Sequence, residues 1–383
     1  MDNKLYFNKE HEMVRRAVRD FVNKEINPNV DEWEEKGSLP LHDIFKKMGD
    51  LGFLGLRYDE KYGGEGLDYW YEIVFYEEIA HCKGGSLPMA VGVQANMATP
   101  AIYEFGSEYL KEKYFKPALK GEMVAALGVT EPDAGSDVSA IKTFAEKKGD
   151  HYLLNGSKTF ITNGVQADFL TLLARTSDKS GHRSFSLFVV PTDIKGFKVG
   201  KKLDKIGMNA SDTAELFFDN MAIPDRNLIG EENEGFIYQM KQFQHERFAV
   251  LPFSYTAVKD VIALTVEHLK KRIVFGKPLI AKQVLRHRLA QWLAEAEAIQ
   301  AFTYHIVKMK TEKMDVTKEI SMGKLIAAQL VNKVADGCLQ MFGGSGFMSD
   351  SLISRYYRDF RLMSIGGGAD EIMSEIISKL SGY

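Results

Sequence analysis

The chain has 383 residues, of which 45% are hydrophobic and 26% charged, a composition typical of a folded protein with two or three domains. Its 49 basic and 52 acidic residues are well mixed and give a net charge of -3, so we expect no nucleic-acid partner. The two cysteines, Cys82 and Cys338, lack metal-ligand spacing, so we expect no metal site. Because a chain of this size in an oxidising compartment would usually have more cysteines, we expect a reducing, cytoplasmic location. Residues 1–19 carry frequent charges and no apolar signal region, so we expect neither export nor membrane insertion.

Helical and β-strand patterns divide the chain into three blocks. Residues 1–121 show apolar positions at helical spacing and predict an N-terminal helical domain. Residues 122–231 contain short apolar runs separated by Asn-Gly and Lys-Gly turns, which predict a small β domain. Residues 232–383 return to helical spacing and suit an antiparallel bundle, giving an α+β protein overall. The predicted bundle helices cover roughly 235–271, 283–311, 317–342 and 370–380.

Glu246 lies on the inner edge of the first predicted bundle helix, where a carboxylate is costly. The apolar stripe of that helix contains Phe236, Met240, Phe243, Val250 and Leu251. At about 100° per residue, Arg247 points into the stripe and Glu246 lies on its flank. A buried charge must be paired, shifted in pKa or used in chemistry, so the alternatives to a functional role are an ion pair with Arg247 or a surface position.

Two segments of the β domain carry residue types that suit a polar, planar ligand. Residues 128–140 combine hydroxyl side chains with Pro132 and Gly135, which prevent regular helix and leave backbone N–H groups free. Residues 155–164 contain two Asn-Gly pairs around a β-prone run. Taken alone, the composition of the first segment favours an ordinary polar turn, and the second fits two hairpin turns around a strand equally well.

These two segments, together with residues 340–350 continuing to Arg355 and Asp359, resemble the signature motifs of the acyl-CoA dehydrogenase family. The resemblance extends over essentially the whole chain. It implies an N-terminal helical domain, a middle β-barrel and a C-terminal four-helix bundle, assembled as a homotetramer around FAD. The residue patterns predict the same order of helical and β blocks.

The resemblance implies which residues of the β domain contact FAD. Thr130 and the backbone around Leu127 and Val129 should meet the flavin ring, with Ser136 near both the cofactor and the thioester. Thr162 is expected near flavin N5, with Phe160 over the flavin face, where many relatives carry Trp. The same motifs add the cofactor-binding positions Gly135 and Ile161.

A second implied group reaches the FAD of a neighbouring subunit. Residues 272–277 and Gln283 resemble the part of the family that holds the pyrophosphate and adenosine, and the Arg272 guanidinium suits phosphate. Without the motif, Arg272 would be a solvated charge at a helix end. Gly343 and Gly344 would let FAD approach the backbone closely. The remaining implied FAD-binding residues are Phe275, Gln340, Ala369 and Glu371.

The chain departs from the family pattern at the catalytic base. Many members carry the base as Glu in Tyr-Glu-Gly-Thr, but here Gly366 replaces the Tyr and Gly367 the Glu. The isovaleryl and long-chain branches pair such a glycine with a Glu on the first bundle helix, and the sequence around Glu246 is similar to theirs. The resemblance therefore implies Glu246 as the base. Its rivals are Asp370 and Glu371, which begin a helix where carboxylates favour the macrodipole, and Glu131, which is shared with relatives whose base lies elsewhere.

The implied reaction is dehydrogenation of an acyl-CoA thioester to a trans-2-enoyl-CoA, as in fatty-acid β-oxidation. Glu246 would take the α-proton while a hydride passes to flavin N5, and the Gly367 N–H and a flavin ribityl hydroxyl would polarise the carbonyl. The implied substrate-binding residues are Ser136, Gln244, Arg247 and Gly366.

The two glycines at 366 and 367 leave room beside the first acyl carbons, which suits a long or branched chain. The implied electron acceptor is an electron-transferring flavoprotein. The alternatives are a flavin oxidase, a dehydrogenase of acyl groups on a carrier protein, and a non-catalytic flavoprotein.

Overall fold

A computed structural model describes residues 5–177 and 181–383. The N-terminal block is helical and is linked by short π-helical turns at Val22–Ile26, Val93–Ala98 and Lys111–Phe115. Its first helix is capped by Asn8, whose side chain accepts a hydrogen bond from the His11 backbone N–H at 2.9 Å. The helices of this block are α1 (Lys9–Phe21), α2 (Val30–Lys36), α3 (Leu41–Asp50), α4 (Tyr69–Ile79), α5 (Ser86–Gly92), α6 (Pro100–Phe105), α7 (Glu108–Leu110) and α8 (Lys116–Leu119).

The middle block forms one eight-stranded, mainly antiparallel sheet, as the β patterns predict. Its strands are β1 (Ala125–Gly128), β2 (Phe144–Lys148), β3 (His151–Thr162), β4 (Phe169–Arg175), β5 (Phe185–Pro191), β6 (Phe197–Lys202), β7 (Thr213–Pro224) and β8 (Leu228–Ile229). They are hydrogen-bonded in the order β6-β7-β3-β2-β4-β5-β8, and β1 pairs in parallel with β4. The long β3 and β7 therefore run side by side through the sheet.

The expected turn at Asn155–Gly156 is wrong, because β3 continues through it. The register with β7 shifts between Leu154 and Gly156, so the pair forms a bulge rather than a hairpin. Gly156 is required there because an added Cβ would lie 2.6 Å from the Thr143 hydroxyl oxygen. The second Asn-Gly pair does form a turn, in which Asn163 has a φ of 64°.

The C-terminal block is a helical bundle whose three longest helices have nearly the predicted extents. A two-stranded hairpin separates the first two, and a short helix between the third and the last was not predicted. The elements are α9 (Gly235–Lys271), β9 (Ile273–Val274), β10 (Lys277–Pro278), α10 (Gln283–Thr311), α11 (Thr317–Phe342), α12 (Leu352–Phe360) and α13 (Asp370–Ser381). The three-domain fold expected from the sequence is thus confirmed, with a sheet domain in the middle.

Helix α9 packs against the two other long helices of the bundle, α10 and α11, and against α4 of the N-terminal domain. In the described part of the chain it is the one helix long and apolar enough to span a membrane, with a mean hydropathy of 1.4 over its most apolar window. Most of that window, 61%, is buried inside the protein, as in the core helix of a folded domain. Gln242 fixes α9 to the first domain by accepting a hydrogen bond from the Ala101 N–H at 3.0 Å.

Asp359 joins all three domains through one buried carboxylate. It belongs to α12 and accepts a hydrogen bond from the Gly85 N–H at 2.9 Å, at the start of α5. Its other oxygen accepts one from the Met208 N–H at 2.5 Å, in the loop before β7. The signature residue Asp359 therefore holds the bundle against both the helical and the sheet domains.

Candidate active site

Glu246 lies in the middle of α9 and is 7% exposed. Burial raises its pKa to about 7, although the positive charges of Arg247 and Lys324 oppose that shift. No described residue forms a hydrogen bond or contact ion pair with its carboxylate, so the alternative of a structural pair with Arg247 is not what the geometry favours. A buried, unpaired carboxylate that titrates near neutrality is suited to accept a proton.

Glu246 borders a cavity of about 70 Å³. Residues of all three domains line it, namely Tyr76, Ile79, Gly85, Pro88, Met89, Gly92, Asn96, Met97, Met208, Glu246, Ala249, Val250, Phe253 and Met363. Apart from Glu246, the polar side chains are Tyr76 and Asn96, whose hydroxyl and amide oxygen are 2.5 Å apart. The cavity is therefore an apolar pocket with one carboxylate, suited to an aliphatic chain.

The glycine loop at residues 366–368 lies beside Glu246. A Cβ added to Gly367 would lie 3.6 Å from Oε1 of Glu246, so the position of the expected Glu and the carboxylate on α9 share one space. Gly367 and Gly368 have φ values of 64° and 99°, which favour glycine. Arg247, a predicted substrate ligand, donates from Nε to the Gly367 carbonyl at 3.2 Å and so holds the loop.

His245 faces away from the carboxylate of its neighbour Glu246. Its Nδ1 accepts from the Arg57 guanidinium at 3.1 Å, because arginine can only donate. Its Nε2 therefore carries the proton and donates to Glu104 at 3.1 Å. Burial and the Arg57 charge lower the pKa of His245 to about 4, so the ring stays neutral and serves the local packing.

The predicted flavin-contacting segments are bonded to each other. The Thr159 N–H donates to the Thr130 carbonyl at 2.9 Å, and the Thr130 hydroxyl donates to the Thr159 carbonyl at 2.5 Å. Phe160 follows in β3 with a φ of 59° and is 67% exposed. An exposed aromatic residue in the left-handed region is unusual, and such conformations cluster at ligand sites.

The other predicted ligands of this segment differ in exposure. Val129 and Ile161 are 5% and 1% exposed, so their side chains belong to the core and only their backbones can meet a ligand. Leu127 and Thr162 are half-buried, whereas Gly135 and Ser136 are exposed. A Cβ added to Gly135 would meet nothing within 4 Å in this chain, which leaves its backbone open to a ligand.

Glu131 is not a rival base, because it is fully engaged. One oxygen lies 2.9 Å from Nζ of the buried Lys158 and accepts from the Thr143 N–H, while the other accepts from the Lys142 N–H at 2.6 Å. Lys158 also donates to the Val129 carbonyl at 2.9 Å. This pair fixes the 128–140 loop against β3.

Asn163 connects the flavin-side segment to the cavity. Directly after Thr162, its amide donates to the Ala90 carbonyl of α5 at 3.0 Å and to the Ala125 carbonyl of β1 at 3.2 Å. Helix α5 in turn contributes Met89 and Gly92 to the cavity wall beside Glu246. The candidate flavin and acyl sites are therefore held in one framework.

The second predicted FAD group lies on the surface at one end of the bundle. Phe275 projects from the β9–β10 hairpin with a φ of 51° and is 93% exposed. His268 near the end of α9 stacks on Phe342 at the end of α11, with ring centroids 4.1 Å apart, which places both helix ends together. The exposed predicted ligands at this end are Arg272, Gln283, Gln340, Gly343 and Gly344.

The remaining predicted ligands lie around the start of α13. Ala369 precedes the helix and is half-buried, Glu371 is exposed, and Asp370 approaches Lys324 with its Oδ1 at 3.9 Å from Nζ. Gly366 is half-buried in the glycine loop. The Oε1 atom of Gln244 on α9 is buried and has no hydrogen-bond partner in the described structure, which leaves it available to a ligand. In residues 5–177 and 181–383, no cluster of three His, Cys, Asp or Glu side chains suits a metal ion.

Sequence profiles of the acyl-CoA dehydrogenase N-terminal, middle and C-terminal domains match residues 8–122, 126–221 and 233–381. The chain is 36% identical over 377 residues to the long-chain specific acyl-CoA dehydrogenase of Sus scrofa, covering 97% of this chain and 86% of that one. The crystal structure of an acyl-CoA dehydrogenase from Geobacillus kaustophilus matches with a TM-score of 0.95 at 38% identity, covering 99% of both chains. The chain belongs to the acyl-CoA dehydrogenase family.

Other members that match this acyl-CoA dehydrogenase differ in their named roles. The glutaryl-CoA dehydrogenase of Desulfococcus multivorans is 35% identical and covers 97% of this chain and 96% of its own. A glutaryl-CoA dehydrogenase from Mycobacterium smegmatis in complex with FADH2 matches with a TM-score of 0.92 at 28% identity, covering 100% and 97% of the chains. A chain from the structure described as electron transferring flavoprotein of Acidaminococcus fermentans matches with a TM-score of 0.94 at 32% identity, covering both fully.

The protein is therefore a flavin-dependent oxidoreductase, and FAD is its cofactor. Two observations fit this cofactor. Phe160 offers an exposed, strained aromatic face beside Thr130, and backbone at Gly135, Gly343 and Gly344 has open space where a Cβ would be. The planar flavin ring of FAD suits the aromatic face of Phe160, and its pyrophosphate suits the open glycine backbone.

Three residues of this acyl-CoA dehydrogenase site were missed from the sequence. Tyr76 and Asn96 line the acyl cavity but sit within ordinary helical patterns, which give no signal of a pocket. Lys324 is fully buried in α11, beside the glycine loop. It could have been found, because it occupies the apolar stripe that also holds Ile320 and Val331.

Proposed function

We propose that the protein removes the α-proton and the β-hydride from a neutral aliphatic acyl-CoA and releases the trans-2-enoyl-CoA. The observation that carries this proposal is Glu246, a buried carboxylate that borders an apolar cavity and has no described bonding partner. Glu246 takes the α-proton in its ionised form. FAD, when bound, accepts the hydride that leaves the β-carbon.

The Gly367 N–H is suited to polarise the thioester carbonyl. Gly366 donates its N–H to the Leu362 carbonyl at 2.8 Å, but the Gly367 N–H has no partner among the residues described. A hydrogen bond to the thioester oxygen stabilises the negative charge that develops there as the α-proton leaves. Glu246 and Gly367 would then act on adjacent carbons of one substrate.

The cavity favours an acyl chain without a distal charge. None of its described lining residues is Lys, Arg or His, so a second carboxylate would be buried without a counter-charge. Although relatives include glutaryl-CoA dehydrogenases, this feature supports an uncharged acyl group for this chain.

The methionine-rich walls of the same cavity support the proposal of a long or branched acyl chain. Four methionines, at positions 89, 97, 208 and 363, line it, and methionine side chains rearrange readily around ligands of different shape. A Cβ added to Gly92 would meet nothing within 4 Å, so the wall is open at that point. The glycines at 366 and 367 leave further space beside the carbons next to the thioester.

We further propose a cytoplasmic homotetramer that passes its electrons to an electron-transferring flavoprotein. The support for assembly is the exposed end of the bundle, where Phe275 is 93% exposed and Arg272 is free to reach a phosphate of a neighbour's FAD. The support for the acceptor is the matched Acidaminococcus fermentans structure, described as an electron transferring flavoprotein.

The test is turnover of Glu246→Gln on a panel of straight, branched and dicarboxylic acyl-CoAs. We expect a fall in kcat of about 10²–10⁴-fold with unchanged FAD content, because the amide cannot accept the proton. Glu267→Gln, an exposed change on the same helix, is the matched control and should keep wild-type activity. Undiminished turnover in Glu246→Gln would show that the base lies elsewhere, and a wild type that no thioester reduces would be a non-catalytic flavoprotein.

A further inference from the structure

Lys324 is an ammonium group buried in the centre of the protein, with 0% of its side chain exposed. It projects from α11, which packs on α9 and α13. Burial lowers its pKa to about 8, which shows that the folded environment opposes the charge. A lysine kept at such a position needs partners or a task.

The Lys324 ammonium donates a hydrogen bond to the Gly368 carbonyl. The preceding carbonyl, of Gly367, accepts from Arg247 Nε at 3.2 Å. Two cations on two different helices therefore hold consecutive carbonyls of the glycine loop. The loop has no side chains of its own to fix it, because residues 366–368 are all glycine. Gly367 and Gly368 have φ values of 64° and 99°, which favour glycine.

These two hydrogen bonds fix the two peptide groups that directly follow Gly367, because each peptide group contains one of the bonded carbonyls. The Gly367 N–H belongs to the same short loop and has no partner among the residues described, so its aim depends on the two carbonyls that follow it. Glu246 lies on the other side, with Oε1 at 3.6 Å from the space of a Cβ on Gly367. Any rotation of the loop would change both the donor position and the room for the base.

We propose that Lys324 is a positioning residue for the dehydrogenation, which holds the Gly366–Gly368 loop so that the Gly367 N–H and the Glu246 carboxylate converge on the same acyl thioester. The inference rests on the proposed function, because it requires Glu246 to be the base. In this role Lys324 acts through the loop, by its hydrogen bond to the Gly368 carbonyl.

Lys324 also has an electrostatic effect on Glu246, which depends on the charges around it. Asp370 on α13 approaches with its Oδ1 at 3.9 Å from Nζ, and that oxygen is buried without a hydrogen-bond partner among the described residues. Arg247 on α9 opposes the charge of Lys324, whereas Glu246 on α9 and Glu371 on α13 favour it. The positive charge of Lys324 in turn favours the ionised form of Glu246, the form that accepts the proton.

The experiment compares Lys324→Met and Lys324→Arg with wild type, using Lys333→Met as the matched control. Lys333 lies on the same helix but pairs with Glu295 at the surface, at 2.7 Å. Met removes the donor and the charge, and Arg retains both. FAD content and thermal stability are measured first for each variant.

Proton removal is measured separately from turnover with 3,3-dimethylbutyryl-CoA in D₂O. This probe has α-hydrogens but no β-hydrogen, so deuterium enters at the α-carbon without any hydride leaving. For Lys324→Met we expect exchange and kcat to fall about 10- to 100-fold with little change in KM, because alignment is lost rather than binding. We also expect the acid limb of kcat/KM to move up by about one pH unit. Lys324→Arg should recover most of the rate, and Lys333→Met should match wild type.

Wild-type exchange, kcat and acid limb in Lys324→Met would overturn the proposal, as would a rise in KM alone. If Lys324→Met does not fold, Lys324→Arg provides the test. A wild-type rate and a wild-type acid limb of kcat/KM in Lys324→Arg support the role of the charge and the donor. A folded but inactive Lys324→Arg contradicts that role. Glu246→Gln separates the two proposals. If that variant still exchanges deuterium, the proposed base is wrong; if it does not and Lys324→Met is normal, only the positioning role fails.

Discussion

A Cβ placed on Gly367 would lie 3.6 Å from Oε1 of Glu246. The two positions are 121 apart in the sequence, as Gly367 belongs to the loop before α13 and Glu246 to the middle of α9. The space between these two positions therefore admits one carboxylate, delivered from either element. In this chain α9 delivers it, and the loop is reduced to backbone.

Moving the carboxylate back to the loop should restore part of the activity. Glu246→Ala alone should lose about 10²–10⁴-fold in kcat, because the base is absent. Glu246→Ala with Gly367→Glu should recover at least tenfold, although the left-handed φ of 64° at residue 367 costs a side chain about 1–3 kcal/mol. Steady-state turnover with matched FAD content measures the recovery, and a double variant as inactive as Glu246→Ala would contradict the shared space.

The pH dependence of kcat/KM should report Glu246 directly. Burial raises its pKa to about 7, and only the ionised carboxylate accepts a proton. Below pH 7 we therefore expect kcat/KM to fall about tenfold per pH unit, with a plateau above it. An acid limb near the ordinary glutamate pKa of about 4.3 would show that the working base is exposed or ion-paired. Glu267→Gln should leave the profile unchanged.

The three long bundle helices were predictable because helical spacing of apolar residues is a local signal. The assignment of the base to Glu246 rests on the family resemblance, which pairs a glycine at residue 367 with a Glu on the first bundle helix, and it stays a prediction. The contact between Lys324 and Gly368 was not predictable, because it depends on how α11 packs against a loop 44 residues away. Likewise the φ of 59° at Phe160 follows from a bulge between β3 and β7, which no local pattern announces.

The buried pair of Lys158 and Glu131 should stabilise the flavin-side loop. Either Lys158→Met or Glu131→Gln leaves one buried charge without its partner, which costs about 3–5 kcal/mol of unfolding free energy. The double variant should lose less than the two single losses together, because it leaves no unpaired charge. Denaturant unfolding of the apoprotein measures stability, and both single variants should also retain less FAD. Additive losses would show that the pair is not coupled.

Substitutions at Phe160 should affect the stability of the apoprotein and its affinity for FAD differently. Its left-handed backbone disfavours any side chain, so apoprotein with Phe160→Gly should be about 1–2 kcal/mol more stable than that with Phe160→Ala. Both variants should hold FAD more weakly than wild type, because the exposed aromatic face is gone. Thermal unfolding of the apoproteins and FAD titration provide the two readouts. Tight FAD binding in both variants would exclude a stacking role for Phe160.

The charge-free wall of the cavity should exclude dicarboxylic substrates. Pentanoyl-CoA and glutaryl-CoA differ chiefly in one distal carboxylate, which would be buried in this cavity without a cation. An unpaired buried charge costs several kcal/mol, so we expect kcat/KM for glutaryl-CoA to be at least about 100-fold lower. Competitive assays of the two thioesters measure the ratio, and equal rates would show that the acyl chain lies elsewhere.

Asp359 links the unfolding of the three domains. Its carboxylate accepts the Gly85 N–H with one oxygen and the Met208 N–H with the other, while its own helix belongs to the bundle. Loss of any one domain would remove at least one of these two hydrogen bonds and expose the surface around Asp359 to water. We therefore expect the three domains, distinct in architecture, to unfold together, and excised fragments to be poor substitutes for the intact chain.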